Sequence, residues 1–490
     1  MNAISTSSTV LEKLGACCLA LSSVLGNKVS FPGTTTYNSS LSSYFSQQNS
    51  DLHPKCIVSP TSAEDVSIAI RTLTSTPDVL DNYGGPHCHF AVRSGGHASI
   101  GGVSNIADGI TIDLRGLNSI NINSDHTAVS VGVGATWGEV YAYLDPLGLS
   151  AAGGRAAQVG VGGLTTGGGI SYLSPRYGWT CDTVSQFEVV LANGSVVEVN
   201  EKTNSNLLQA LRGGSSNFGI VTRVDLGAFK QGRIWGGSVY YALDTAEEQI
   251  RAFAQLNSAE EYDEYASLIT SFGYSGGQGS AVVNSIVYTK EEERPAVYEP
   301  FFKMPSLAST MRIAEMHEIS MEQGSFSPDG KRQLSVVTTL VSSIAALNAT
   351  YMRWNESLAP IRDVPGIVWS VSLEPLPPAI YARAASKNAM GLTGRTDALV
   401  VTLLSASWDN AADDARVEET ARALFDGIED DARRLGDYDP FLYLNYAAEW
   451  QDPIASYGKD SVHKLKRVRW EVDRRGVFQY NMPGGFKIPG

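Results

Sequence analysis

Only five of the 490 residues are cysteine (Cys17, Cys18, Cys56, Cys88 and Cys181), too few to read as a disulfide framework in a chain of this length. Long apolar runs are missing: nothing approaches the roughly 18 residues that a spanning helix requires, so no membrane span is expected. Positive charge is scarce as well. Lys and Arg total 37 against 51 Asp and Glu, a formal charge of −14, which opposes tracking along a phosphate backbone and excludes nucleic acid as a partner. The one dense basic run, Lys464-Leu-Lys466-Arg467-Val-Arg469, reads as the solvated face of a short helix. Familiar nucleotide and protease patterns are absent too: no Gly-X-Gly-X-X-Gly turn, no phosphate loop ending in Gly-Lys-Ser/Thr, no His-Glu-X-X-His. Gly273-Tyr-Ser275-Gly-Gly277 matches the hydrolase pattern Gly-X-Ser-X-Gly, but a nucleophile elbow leads into a helix, and here a strand pattern follows over 280–288. It reads as a hairpin turn.

Glycine is what the chain has in excess: 48 of 490, close to one in ten where about 7% is usual. Of these, 21 fall in the 95 residues from Gly84 to Gly178, so some stretch of backbone there must approach a partner closely.

The rest of the pattern gives the organisation. An apolar run over 14–25 has apolar residues at positions 10, 11, 14, 18, 21, 24 and 25, the spacing of an amphipathic surface helix rather than a signal-peptide core. Asn-X-Ser/Thr tripeptides at Asn38, Asn193, Asn348 and Asn355 arise by chance often enough to decide nothing, and an intracellular location is favoured over secretion. A polar linker precedes a βα unit with a strand at 56–58 and a helix at 63–73. Strands follow at 90–92, 110–114 and 128–131, then a helix at 137–144, a hairpin at 187–191 and 196–199, a helix at 207–212 and a strand at 220–226. From 232 to 440, strands at 235–241, 280–288, 333–341 and 398–405 alternate with helices at 246–259 and 412–434, which suggests an antiparallel sheet covered by helices. The last fifty residues hold a short strand at 441–446 and a helix at 461–469. The expected class is α+β, divided as an N-terminal helix and linker (1–50), a glycine-rich α+β domain (51–231), a substrate domain (232–440) and a returning C-terminal segment (441–490).

Two glycine stretches carry the chemistry. Arg93-Ser94-Gly95-Gly96-His97, with Gly101 and Gly102 after it, directly follows a strand, and adjacent glycines there let consecutive N–H groups converge on one anion such as pyrophosphate. Gly160-Val-Gly162-Gly163-Leu-Thr165-Thr-Gly167-Gly168-Gly169 has six glycines in ten positions, letting the chain lie flat against a large planar ligand. The plainer reading, tight turns in a β-rich region, does not account for the threonines and the adjacent histidine. A metal at His87-Cys88-His89 is disfavoured because neighbours on extended chain point apart, and no metal is expected.

These residues carry a family resemblance. Arg93–His97, Gly160–Ile170, Ser174-Pro-Arg-Tyr-Gly178 with Cys181-Asp182, and Arg212-Gly-Gly-Ser-Ser-Asn217-Phe-Gly219-Ile-Val221 are similar to the FAD-binding domain of the berberine-bridge-enzyme-like oxidases of the vanillyl-alcohol-oxidase superfamily, with fungal members the nearest. The resemblance implies a two-lobed PCMH-type FAD-binding domain and FAD joined through a ring nitrogen of His97 to its 8α-methyl. It also implies pyrophosphate in the 93–97 turn, and a cofactor lined by the 160–170 stretch and by the region of Asn217, Gly219 and Val221. Many relatives tether the flavin again through a cysteine at the position of Ala156, where a methyl cannot form a thioether, so single attachment is expected. Val159 resembles the small residue that leaves room for O₂, which favours an oxidase. On a strand at 441–446, Tyr443 and Asn445 would share one face beside the flavin as proton acceptor and orienting amide, or as contacts holding that strand.

The expected function is O₂-dependent oxidation of a small organic molecule in secondary metabolism by a monomeric flavoenzyme. A carbohydrate oxidase, or a flavin-bearing protein that steers a cyclisation with little redox turnover, are the rival readings.

Overall fold

The computed structural model describes residues 15–75, 88–258 and 260–490. The first sheet has the order Val29–Ser30, Cys56–Val58, Ile110–Asp113, Phe90–Arg93, and its last three strands run parallel. Those short strands are buried along most of their length, which explains why they read as unbroken apolar runs rather than alternating ones. The helix Ala16–Leu25 packs on this lobe through Cys18, Leu21 and Leu25, while Val24 stays exposed. Positions 10, 11 and 14 of the expected helix lie outside the described residues, as does His87.

Cysteine usage differs from the expectation. Cys17 is bridged to Cys88 and Cys18 to Cys56, leaving Cys181 as the free, buried thiol. Consecutive helix residues diverge by about 100° around the axis, so two neighbouring cysteines can reach two different segments of the sheet. With its sulfur in a bridge, Cys88 is not available as a metal ligand.

A second, antiparallel sheet orders Ile120–Ile122, Ala128–Gly132, Ile220–Lys230, Val184–Val190 and Val196–Asn200, with Leu149–Ala151 also on the long strand. The chain then turns at 231–233 into a nine-stranded antiparallel sheet beginning at Ile234–Tyr241. This is the α+β architecture expected, with the helices Ala246–Asn257, Ile344–Glu356 and Asp414–Leu435 packed together over the sheet. The strands Ala266–Ser275 and Val368–Leu376 were not anticipated, because their serine, threonine, glycine and proline residues interrupt the apolar pattern. The Gly273–Gly277 motif leads into a hairpin turn: Gly273 to Ser275 are paired strand residues, and the turn at 276–278 joins Ala266–Ser275 to Gly279–Tyr288.

Period two along these strands places the site. Val336, Ile286 and Val400 enter the core beneath the helices, whereas their neighbours Val337, Val287 and Val401 join the core shared with the glycine-rich lobes. One face of the large sheet thus packs against the glycine-rich lobes.

The C-terminal segment needs one correction. Residues 441–443 are extended but pair with no strand, and Leu444–Tyr446 is a turn of 3₁₀-helix. The backbone donors are engaged elsewhere: Phe441 N–H with Asp439, Leu442 N–H with Ser456 Oγ, and Tyr446 N–H with Tyr443 O. No ladder can form from them. The last helix runs longer than expected, Lys459–Val472.

Candidate active site

The two glycine stretches, 65 positions apart, form one surface. A β-carbon on Gly95 would lie 2.6 Å from Gly160 N, and one on Gly160 would collide with Gly95 N in return. Ser94 fastens the junction, donating to Val133 O at 2.6 Å and accepting from Gly162 N–H at 3.1 Å. Gly96 has φ 78°, and among the described residues no protein acceptor takes the N–H of Gly95, Gly96 or His97. That leaves a run of donors of the kind that binds an oxyanion.

Arg93 lines the cavity at which Gly95 and His97 stand. Its guanidinium is fully buried, donating to Ser40 O and Ser43 O and stacking on Tyr44, so its charge is directed into the protein. Gly101 packs against Gln48 O. His97 stacks on Phe45 at 3.9 Å, and burial lowers its pKa from 6.5 to about 4. At neutral pH the ring is uncharged and keeps a nitrogen lone pair. It borders a cavity of about 380 Å³ whose lining includes Gly138, Ala157, Gln158 and His317. The helix Met316–Gly324 of the large-sheet half docks here, since Ser320 O accepts Ala157 N–H and the His317 ring meets Gly138 O at 3.0 Å.

The second stretch is not flat, as expected, but forms a short helix, Val161–Thr166, capped by Gly160. At 1.5 Å per residue it spans roughly 9 Å. Two features suit a bound ring system along it. Gly163 is exposed, with open space where a β-carbon would stand, and the buried Thr165 Oγ1 has no partner. At the far end the chain meets the C-terminal segment. A side chain on Gly167 would collide with Asn445, and one on Gly168 would press on Tyr443. Tyr443 OH accepts Gly169 N–H at 3.0 Å and Asn445 Nδ2–H at 2.9 Å, while Asn445 also donates to Leu164 O. So Tyr443 and Asn445 do come together, through a turn instead of strand alternation. Burial raises the Tyr443 pKa well above its ordinary value.

Val159 is half-buried beside this helix and Ile170 is buried just beyond it. Asn217 has its amide engaged by Gly214 O, Phe486 O and Gln479, tying down the C-terminal tail. Gly219 packs on Val189 and Val190, and Val221 pairs with Val189. These three bear on the site through the strand Ile220–Lys230, whose Thr222 O holds Val133 beneath Ser94.

One constellation escaped sequence reading. Arg155 Nη2 donates to Glu374 Oε2 at 2.7 Å and to Tyr446 OH at 2.6 Å, and Tyr446 OH reaches Glu374 Oε1 at 3.2 Å. Arg155 and Glu374 are 8% and 3% exposed, so this is a buried ion pair with a phenol on it. Burial raises the Tyr446 pKa, with the Arg155 charge opposing it. Glu374 shares with Leu376 the sheet face packed against the glycine-rich lobes, and the Tyr446 ring meets the edge of Tyr443 at 4.8 Å. The available signal was an arginine within the glycine segment and a lone acid in an apolar strand, but not their meeting. Among the described residues, no three His, Cys, Asp or Glu side chains could hold a metal, and no helix is long and apolar enough to cross a membrane.

Comparison with known proteins bears on the same region. Residues 54–200 match the FAD binding domain family. Over 481 residues the chain is 37% identical to the FAD-dependent monooxygenase sdcF of Emericella nidulans, covering 96% of this chain and 98% of that protein. Over 466 residues it is 47% identical to the oligopeptidase PhomG' of Diaporthe leptostromiformis, covering 94% of this chain but 36% of that longer protein. Among solved structures, a berberine bridge enzyme variant in complex with (S)-reticuline superposes with a TM-score of 0.75 at 17% identity, covering 97% of this chain and 99% of that one.

Proposed function

Because the chain belongs to the fungal FAD-dependent monooxygenase family and carries its FAD binding domain on the fold of berberine bridge enzyme, we propose that it oxidises a small organic molecule of secondary metabolism, with FAD bonded to His97 and O₂ as the final electron acceptor. The observation that carries this reading is the Val161–Thr166 helix, with an uncharged His97 and free N–H groups beside one end and Tyr443, Asn445 and the Arg155–Glu374–Tyr446 set beside the other. FAD, when bound, supplies hydride acceptance and delivery of electrons to O₂.

The chain's own residues divide the remaining work. When FAD is bound, the N–H groups of Gly95, Gly96 and His97 would hold its pyrophosphate, and the open face at Gly163 would receive its ring system. Tyr443, already accepting two N–H groups, fixes the 167–169 turn and positions Asn445. Tyr446 is the candidate proton relay: its hydroxyl can take up a proton as its own passes to Glu374 Oε1 at 3.2 Å, with the Arg155 charge opposing part of the rise that burial gives its pKa. Ala156 supports a single tether, and the half-buried Val159 supports access for O₂.

Flavin fluorescence surviving denaturing electrophoresis, and lost in His97→Ala, is the expected outcome; a band persisting in that variant would sink the attachment. Reaction under ¹⁸O₂ separates an oxidase, which yields labelled peroxide and unlabelled product, from oxygen insertion. A second reading concerns the substrate. The relative matched over 36% of its length is named an oligopeptidase, which favours a short peptide as the molecule oxidised. Peroxide release with di- to hexapeptides, set against a sugar panel, tests it.

A further inference from the structure

The first lobe holds an arrangement that flavin chemistry does not need. Cys17 and Cys18, consecutive on the helix Ala16–Leu25, are bridged to Cys88 and Cys56, each just before or at the start of a strand of the same sheet. Cys18, Cys56 and Cys88 are 1%, 0% and 4% exposed. The two bridges anchor the N-terminal helix across the sheet that leads into the His97 turn. All four cysteines of this lobe are paired, and the fifth, Cys181, lies elsewhere in the chain with Asp182 as its neighbour. Bridges of this kind form and persist in oxidising compartments and are rare in the cytosol.

The sequons gain meaning from that. Asn193 stands between the paired strands Val184–Val190 and Val196–Asn200; its Oδ1 accepts Ser195 N–H at 2.9 Å, and among the described residues its Nδ2 has no partner. Asn38, on the helix Thr35–Leu41, and Asn355, in the last turn of Ile344–Glu356, are also exposed, and neither side chain bonds to the described residues. Asn348 is half-buried on the helix that packs against Asp414–Leu435. It is left out of the assignment.

We propose that this protein matures in an oxidising, glycosylating compartment and carries N-linked glycans at Asn38, Asn193 and Asn355. Each bridge forms when two thiols pass two protons and two electrons to a disulfide-bearing oxidoreductase, which is thereby reduced. Each glycan forms when the side-chain amide nitrogen bonds to the anomeric carbon of a lipid-diphosphate oligosaccharide, with the lipid diphosphate leaving and the amide proton passing to solvent. The intracellular reading from the sequence rested on the amphipathic spacing of the run at 14–25, which carries no information on cysteine pairing.

The test uses the protein isolated from the organism that makes it. It is denatured without reductant and alkylated, then reduced and alkylated with a second label. The expected result is first label on Cys181 alone and second label on the other four cysteines. Amide-cleaving glycosidase should convert Asn38, Asn193 and Asn355 to aspartate and lower the intact mass. First label on all five cysteines overturns the proposal, and so does a mass that glycosidase leaves unchanged. Ser195→Ala is the cleaner variant at the hairpin, since the Ser195 side chain bonds to nothing in the fold. It should remove the Asn193 glycan and leave turnover unchanged; a glycan retained at Asn193 would overturn that assignment. At the other two sites Asn38→Gln and Asn355→Gln are preferable, because Ser40 and Ser357 are engaged by Asp113 and Trp369.

Discussion

Gly95 and Gly160 touch backbone to backbone, so that neither has room for a β-carbon, and this contact joins the turn proposed to bind the pyrophosphate to the helix expected to carry the flavin.

Gly160→Ala and Gly163→Ala should therefore part company. At Gly160 the added methyl meets backbone that cannot yield, and overpacking of this kind costs about 1–3 kcal/mol, read as a lower apoprotein Tm together with loss of FAD. At Gly163 the space is open and the position helical, so Ala should leave the apoprotein unchanged or up to about 1 kcal/mol more stable. FAD occupancy should nevertheless fall. Full occupancy in Gly163→Ala would mean that the ring system does not lie there.

His97 makes apoprotein stability depend on pH. Its folded pKa, about 4, lies below the ordinary 6.5, so between these values the unfolded chain binds a proton that the folded chain does not. The contribution is complete above pH 6.5 and is lost as the pH falls toward 4. Thermal melts of wild type and His97→Gln should diverge across this window, with the variant showing the shallower slope.

The buried ion pair gives a sharper signal. Glu374→Gln or Arg155→Met leaves one charge without its partner and should cost about 3–5 kcal/mol, whereas the double variant should cost clearly less than the two losses added. Denaturant melts of the four-member cycle measure this. A strictly additive result would show that the pair is not coupled.

Tyr443 and Tyr446 are assigned different work, and kinetics can separate them. Tyr446→Phe loses an acceptor for Arg155 and should cost about 1–3 kcal/mol of stability, but its main effect should be a fall in kcat of about 10²–10⁴-fold. Tyr443→Phe loses a buried acceptor for Gly169 N–H and should mainly reduce stability, by about 1–3 kcal/mol. The opposite pattern would return the proton-accepting role to Tyr443.

Val159→Ile tests O₂ access directly. Stopped-flow reduction by substrate should keep its rate while reoxidation by O₂ slows. In parallel, Ala156→Cys should add a second covalent flavin link, seen as a changed flavin spectrum and as fluorescence retained in the Ala156→Cys, His97→Ala double variant.

How much of this was legible in the sequence follows from what each feature depends on. The hairpin around Asn193, the helix Trp137–Leu144 with its Thr136–Glu139 capping box, and the existence of the short strands Cys56–Val58, Phe90–Arg93 and Ile110–Asp113 were readable because their signals lie within a few residues, whereas the parallel pairing of those strands was not. The strands Ala266–Ser275 and Val368–Leu376 were not, because their register comes from neighbours in a large sheet. At 441–446 a strand was inferred from alternation alone. Its N–H groups bond instead to Asp439, Ser456 and Tyr443, and such partners leave no mark on a local pattern.

By itself the sequence determined the cofactor class, because a backbone that must approach a ligand is written locally in glycine. Tertiary structure decided what is made by meeting: Gly95 against Gly160, Arg155 with Glu374 across 219 positions, and Cys17 and Cys18 with their two separate partners. Pairings of that kind depend on which faces are buried together, and burial is a property of the folded chain.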